Sequence, residues 1–142
     1  MFDKKHYDER LIIWRQFRNE LEAAEDPIQK AIDFYNQAPY CLIAADPFTP
    51  SSWPTAWEII EENNYCSFVK ILAICYTLQL TDVLSQASYE IHITRDREKS
   101  AIYYLLYVDN IVIGFNGDTY VHRNELPDIL RSELIHVIPT QQ

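Results

Sequence analysis

Three residues of this chain have the types and the order needed for nucleophilic catalysis: Cys66, His92 and Asp109. Cys66 precedes a long apolar segment typical of a buried helix, and we expect it near the second position of that helix. There, unpaired backbone N–H groups and the positive end of the helix dipole stabilise a thiolate. His92 lies in a segment of alternating polarity, and Asp109 ends the next β-like segment. The order predicts a cysteine nucleophile, a histidine base and an acid that orients the base.

This order resembles that of the transglutaminase-like and papain-like cysteine enzymes, a group that includes the arylamine N-acetyltransferases. In that group a cysteine begins a central helix, and a histidine and an aspartate or asparagine lie on successive strands. Here His92 and Asp109 are 109 − 92 = 17 residues apart, and the run "YYLLYVDN" includes the acid. The resemblance covers roughly residues 55–115. It implies that Cys66 attacks an amide or acyl substrate to form a thioester, with no metal or cofactor.

The residues that flank the cysteine differ from the family pattern. Tyr65 and Ser67 stand where a glycine and a tryptophan are common. Ile60 stands where the papain group has the glutamine that donates to the oxyanion. A different donor or cleft wall is therefore required. The candidates near the cysteine are Asn63, Asn64, Trp53 and Trp57.

The turn between the two β-like segments decides whether His92 and Asp109 meet. If "RDREKS" turns at its centre, Asp109 passes His92 by several residues along the strand. If the turn lies near residues 99–100, the two side chains become diagonal neighbours on one face. A tight hairpin at Asp109-Asn110 would instead make Asp109 an ordinary turn residue.

A simpler interpretation of the same residues stays open. Cys66 would be a small buried apolar side chain, and His92 would face solvent beside Glu90. The remaining histidines show no metal-binding spacing, so the sequence predicts neither a metal site nor a cofactor. They are His6, His122 and His136.

Helical patterns dominate the first half of the chain. One stripe at helical spacing consists of Leu11, Trp14, Arg18 and Leu21, and Phe17 and Ala24 widen it. Asp26-Pro27 is typical of a helix N-terminus, and the helix that follows should end near Pro39. Thr55 and Glu58 have the spacing of a capping box, which predicts a short helix over 56–62.

The most apolar segment of the chain is "NNYCSFVKILAICYTLQL", residues 63–80. Apolar residues cover almost the whole circumference of the helix it predicts, so that helix should be buried on most sides. Asn63 or Asn64 should cap its start. Before it, "YCLIAAD" suggests a short strand, and "DPFTPSSWP" a loop.

The second half changes to the period of a strand. "SYEIHIT" alternates between apolar and polar residues, "RDREKS" is a charged turn, and "AIYYLLYV" is rich in β-forming residues. Asp109-Asn110 predicts a two-residue turn before "IVIGF". "ELPDILRSEL" suggests a short helix before "IHVIP". The expected fold is α+β, with N-terminal helices and a buried central helix packed on an antiparallel β-meander, in one globular domain over 1–142.

Composition narrows the classes of partner. A net charge of −9 repels phosphate backbones, so we expect no nucleic-acid partner. Three cysteines without paired spacing indicate neither a disulfide framework nor a zinc site. The charged start and the lack of a long apolar run predict no secretion signal and no membrane association. We expect a soluble cytoplasmic protein.

A second resemblance rests on "SWPTAWEII" and the cysteine helix that follows, about a quarter of the chain. These segments are similar to small uncharacterised proteins of contractile-tailed phages of marine cyanobacteria. The resemblance implies a phage-encoded protein, located in the host cytoplasm or in the virion. The sequence therefore favours a structural, assembly or protein-interaction role, through a protein partner or self-association. The alternative is a cysteine enzyme that uses Cys66, His92 and Asp109.

Overall fold

The computed structural model describes residues 1–140 and has helices first and strands after them. The helices are α1 (Tyr7–Glu22), α2 (Pro27–Tyr35), α3 (Ala56–Glu62) and α4 (Ser67–Gln79). The strands are β1 (Tyr89–Asp96), β2 (Ala101–Val108), β3 (Ile111–Ile113), β4 (Val121–His122) and β5 (Leu130–Val137). Short 3-10 turns occupy Pro50–Ser52 and Arg123–Glu125. The predicted α+β class, with helices packed on an antiparallel sheet, is confirmed.

Local capping chemistry sets the starts of α2 and α3 as predicted. The Asp26 carboxylate accepts a hydrogen bond from the backbone N–H of Gln29 at 3.1 Å. At α3, the Thr55 hydroxyl accepts from the Glu58 N–H at 3.2 Å, and Glu58 accepts from the Thr55 N–H at 3.0 Å. These bonds satisfy amides that have no partner inside a helix.

The five strands are antiparallel and lie in the order β4-β3-β2-β1-β5. The first four strands form a meander, and β5 returns to pair with the other side of β1. The predicted helix in "ELPDILRSEL" is wrong, because Leu130–Val137 is this fifth strand. Pairing with β1 satisfies backbone groups that would otherwise lie on an open sheet edge, and this outweighs the local helical pattern.

Alternation along β1 separates the sheet into two faces. The inner face carries Tyr89, Ile91 and Ile93, which are buried, and Ile91 belongs to the same apolar core as α4. The outer face carries Glu90, His92 and Thr94, because successive side chains of a strand point to opposite sides.

Helix α4 is the central element of the core, as predicted. Its fully buried residues Leu72, Cys75 and Leu78 belong to one apolar cluster with Ile91 of the inner face and with residues of α1 and α2. Full burial of each leucine side chain stabilises the fold by about 1.5–3 kcal/mol relative to exposure.

The predicted strand in "YCLIAAD" is wrong. Residues 41–48 form a loop, and only an isolated bridge joins Tyr40 to Tyr65, through a hydrogen bond from the Cys41 N–H to the Tyr65 carbonyl at 3.0 Å. No strand within residues 1–140 lies beside this segment, so apolar composition alone does not produce a strand here.

Candidate functional site

Cys66 is the residue immediately before α4, not its second residue as predicted. Its backbone is extended and its Sγ accepts a hydrogen bond from the Val69 N–H at 3.4 Å, as an N-cap side chain does. Neither Asn63 nor Asn64 caps α4, so that prediction is wrong. The Cys66 residue is 5% exposed and belongs to the main core.

An open groove of about 480 Å³ lies beside Cys66. One wall is the start of α4 with Tyr104 of β2, and the other wall is the loop after α2. The lining residues are Leu42, Ile43, Ala45, Asp46, Pro47, Phe48, Cys66, Ser67, Phe68 and Tyr104. Tyr104 is the cross-strand partner of Ile93, which places this groove on the inner-face side of the sheet.

The proposed oxyanion donors are held by other contacts. Asn63 ends α3 in a left-handed conformation, and its Nδ2 donates to the Phe2 carbonyl at 3.0 Å. The Trp53 Nε1 donates to the Asp46 carbonyl at 3.0 Å, and the Trp53 ring packs on Phe68 with centroids 5.0 Å apart.

The other two candidates lie at the surface. Asn64 is exposed, and Trp57 is half exposed and packs edge-on against Trp14 at 6.0 Å. Of the four candidates, Trp53 is linked to the groove beside Cys66, because the Trp53 ring packs on Phe68, which lines that groove together with Cys66.

His92 lies on the face of the sheet opposite to Cys66. Its cross-strand partners are Leu105 on β2 and Ile135 on β5. The neighbouring Ile91 and Ile93 point to the inner face, so the His92 ring points away from α4. The sheet therefore separates the thiol from the imidazole.

Asp109 is a turn residue, as one of the alternatives from the sequence predicted. It has a positive φ of 51° between β2 and β3, and its Oδ1 accepts from the Ser88 N–H at 2.9 Å. The turn between β1 and β2 lies at residues 97–100, so Asp109 is four positions beyond Leu105, the partner of His92. That offset is about 13 Å along a strand. The structure thus does not bring Cys66, His92 and Asp109 together.

His92 instead forms a hydrogen-bonded series with two other residues of the outer face. Its Nδ1 lies 2.8 Å from the Ser132 Oγ, and its Nε2 lies 3.0 Å from the Glu90 Oε1. The ring stacks on Tyr107 with centroids 3.9 Å apart. His92 is 7% exposed, whereas Ser132 is exposed and Glu90 is half-buried.

Burial favours the neutral form of this histidine. Burial lowers the pKa of His92 below its ordinary value, although the hydrogen bond and the charge of Glu90 act in the opposite direction. A neutral imidazole has one N–H donor and one acceptor nitrogen. The carboxylate of Glu90 can only accept, so Nε2 carries the proton and donates to it. Nδ1 is then the acceptor and receives the hydrogen bond of the Ser132 hydroxyl.

A β-bulge in β5 selects the residue that faces His92. Ile93 pairs with Leu134 and Thr94 pairs with Ser132, so Glu133 is an extra residue in β5. In a regular ladder Glu133 would pair with Thr94 and occupy the outer face. The bulge brings Ser132 to that position, and Glu133 forms an ion pair with Arg95 at 2.6 Å.

Sequence reasoning placed Glu90 beside His92 on one face, through the alternation in "SYEIHIT", but did not assign it as a hydrogen-bond partner. Ser132 had no such signal, because its segment was predicted as a helix and its position depends on the bulge.

The described residues contain no cluster of three or more His, Cys, Asp or Glu side chains placed to hold a metal ion. Within the same part of the chain, no helix has the length and apolar character needed to cross a membrane. In three comparisons with known proteins, no family model, curated protein or solved structure matches this chain.

Proposed function

We propose that this chain is a protein-interaction domain and that the groove beside Cys66 is its contact surface. The observation that carries the proposal is the exposure of four large apolar residues within a nine-residue segment. Tyr40, Leu42, Ile43 and Phe48 are between 51% and 79% exposed. Apolar side chains clustered at this density on a surface are typical of interaction sites.

The loop that carries these side chains is held by hydrogen bonds, which favours a preformed surface. The Asp46 carboxylate accepts from the Phe48 N–H at 2.9 Å and from the Thr49 hydroxyl at 2.7 Å. The Asp46 carbonyl also accepts from the Trp53 indole. A surface that is ordered before binding loses less conformational entropy when the partner arrives.

Charge favours a basic partner over a second copy of this chain. Asp46 is the one charged residue among the described residues that line the groove. Hydrogen bonds from Thr49 and Phe48 lower the pKa of its carboxyl group, so it is ionised at neutral pH. Two copies of the chain would each bring a net charge of −9. The fitting occupant is therefore an apolar segment of another protein that carries Lys or Arg beside its apolar side chains.

A peptide-selection experiment tests this proposal. A random peptide library is selected on the wild-type protein, and the enriched peptides are measured against three forms of it. We expect the enriched sequences to combine apolar residues with Lys or Arg. We expect the double variant Leu42→Asp, Ile43→Asp to bind them at least about tenfold more weakly, because it places charge in the apolar surface.

The matched control is Ile12→Asp, because Ile12 is an exposed apolar residue of α1 outside the groove. It should bind like the wild type. No enrichment, or equal binding by the double variant, would contradict the proposal. A dimer in light scattering that the double variant abolishes would assign the groove to self-association instead.

Within this proposal, the phage resemblance suggests the setting. A virion or assembly protein of a contractile-tailed phage would be the partner to test after the peptides define the recognised sequence. The cysteine-enzyme alternative is not proposed, because its three side chains lie on different faces and elements.

A further inference from the structure

We propose that Ser132, His92 and Glu90 form a nucleophilic serine site on the outer face of the sheet, which accepts acyl groups from activated esters. This site is independent of the interaction groove, since the groove lies on the inner-face side. It would give the chain a chemical activity in addition to binding.

The hydrogen bonds have the order that an activated nucleophile requires. A hydroxyl lies within hydrogen-bond reach of an imidazole, and a carboxylate holds the second imidazole nitrogen. The distances are 2.8 Å from Ser132 Oγ to His92 Nδ1 and 3.0 Å from His92 Nε2 to Glu90 Oε1. The carboxylate fixes the tautomer, so the nitrogen that faces the serine is the unprotonated one. Either ring nitrogen can act as the base, provided that the other is held in this way.

Ser132 is more exposed than His92, which is the arrangement that catalysis needs. Ser132 is exposed on the edge strand, so an ester can reach its hydroxyl. His92 is buried between its neighbours and stacks on Tyr107, which restricts rotation of the ring. The bulge at Glu133 places the serine, and not a glutamate, against the imidazole. Bulges commonly redirect a side chain in this way beside functional sites.

Donors for the developing oxyanion lie on the same strands. The Thr94 hydroxyl is 3.4 Å from the Ser132 Oγ. Among the described strands β5 has a neighbour on one side only, so alternate backbone N–H groups point to its open edge. The Arg123 guanidinium contacts the Tyr107 ring at 4.6 Å and adds positive charge near His92.

The reaction balances with water as the second reactant. The Ser132 Oγ bonds to the ester carbonyl carbon, its proton passes to His92 Nδ1, and the carbonyl π pair moves to oxygen. The intermediate collapses, the bond to the leaving oxygen breaks, and that oxygen takes the proton from Nδ1. Water then attacks the acyl-serine, gives one proton to Nδ1 and releases the carboxylic acid, and Nδ1 returns the proton to Ser132.

The test uses the full chain and a fluorophosphonate probe, whose phosphorus bonds to an activated serine as fluoride leaves. Peptide mass spectrometry locates the modified residue. We expect labelling at Ser132, none at that position in Ser132→Ala, and an unchanged rate in Ser51→Ala, an exposed serine on the turn before α3. His92→Gln should slow labelling by about a hundredfold or more.

A positioning role for Glu90 has its own readout. Glu90, Tyr107 and Arg123 all act on His92, and the Glu90 carboxylate raises the pKa of that histidine. Glu90→Gln should therefore move the midpoint of the pH–rate profile to lower pH and reduce the maximal rate. A change in fold alone would lower the rate without moving the midpoint.

Circular dichroism of each variant separates loss of structure from loss of reactivity. Labelling of the wild type at Ser132 no faster than at Ser51 would overturn the proposal. So would an unchanged rate in a folded His92→Gln variant, because the imidazole would then not act as the base.

Discussion

The inner and outer faces of the sheet differ in what covers them. The inner face lies under α4, and its Ile91 and Leu106 are completely buried. On the outer face a smaller apolar cluster of Leu105, Tyr107 and Val112 packs against apolar residues that are only partly buried. Beside that cluster lies the polar series of Ser132, His92 and Glu90.

The two faces also differ in how they hold the thiol and the imidazole. On the inner-face side, the Cys66 thiol is part of the core and caps a helix. On the outer face, the buried imidazole of His92 contacts the hydroxyl of Ser132, a residue that is exposed. A face that other elements cover completely contributes most to stability. A face that is only partly covered can hold polar side chains in a fixed orientation while leaving them open to solvent.

The largest expected effect is on the inner face. Ile91→Ala would leave a cavity under α4, and we expect the free energy of unfolding to fall by about 4 kcal/mol. Urea denaturation followed by circular dichroism measures it. A loss below about 1 kcal/mol would mean that the inner face is not the main core.

Leu105→Ala tests the corresponding position on the outer face. Leu105 is also completely buried, but its neighbours Tyr103, Phe115 and Leu126 are only partly covered and can move into the space. We expect a loss of about 2 kcal/mol, at the lower end for such substitutions. A loss equal to that of Ile91→Ala would remove the contrast between the faces.

Alkylation by iodoacetamide compares the three cysteines. Cys41 is partly exposed, whereas Cys66 and Cys75 are buried, and burial raises the pKa of the Cys75 thiol. We expect Cys41 to react faster than Cys75 by at least about tenfold at neutral pH.

Alkylation of a His92→Ala variant tests whether Cys66 on the inner-face side is independent of His92 on the outer face. His92→Ala should leave the rate at Cys66 within about twofold, because sites without shared contacts act independently. A large loss of Cys66 reactivity in that variant would show that the two side chains meet, and would restore the cysteine-enzyme hypothesis.

The smallest expected effect is the contribution of His92 to the pH dependence of the free energy of unfolding. Its pKa is lowered in the folded state by burial, and an unfolded histidine titrates near pH 6.5. Its contribution to stability is therefore complete above about pH 6.5 and is lost as the pH falls towards the folded pKa. Urea unfolding at pH 7.5 and pH 5.5 should show a smaller decrease in His92→Gln than in the wild type. An identical decrease in the wild type and in His92→Gln would mean that a group other than His92 causes the pH dependence.

Local patterns predicted most of the elements. The Asp26 cap, the capping box at Thr55 and the turn at Asp109 each depend on residues within a few positions of one another, so the sequence displays them directly. The alternation in "SYEIHIT" also placed His92 on the polar face.

The two wrong strand and helix predictions depended on pairing with distant residues, whereas the wrong cap of α4 was a local error of three residues at most. β5 became a strand because β1 had an open edge, and "YCLIAAD" remained a loop because no strand lay beside it. The candidate site failed because Cys66 and His92 lie on opposite sides of the sheet, and because the turn at residues 97–100 leaves Asp109 four positions beyond the partner of His92.

By itself, then, the sequence determined the α+β class, the buried helix, the helix caps and the polar face of β1, because these follow from hydrophobic period and short-range hydrogen bonds. Only the tertiary structure decided that His92 contacts Ser132 and not Cys66. That contact joins residues 40 positions apart through one bulged strand pair. A shift of one residue in that pairing would present Glu133 instead, and no local pattern specifies the shift.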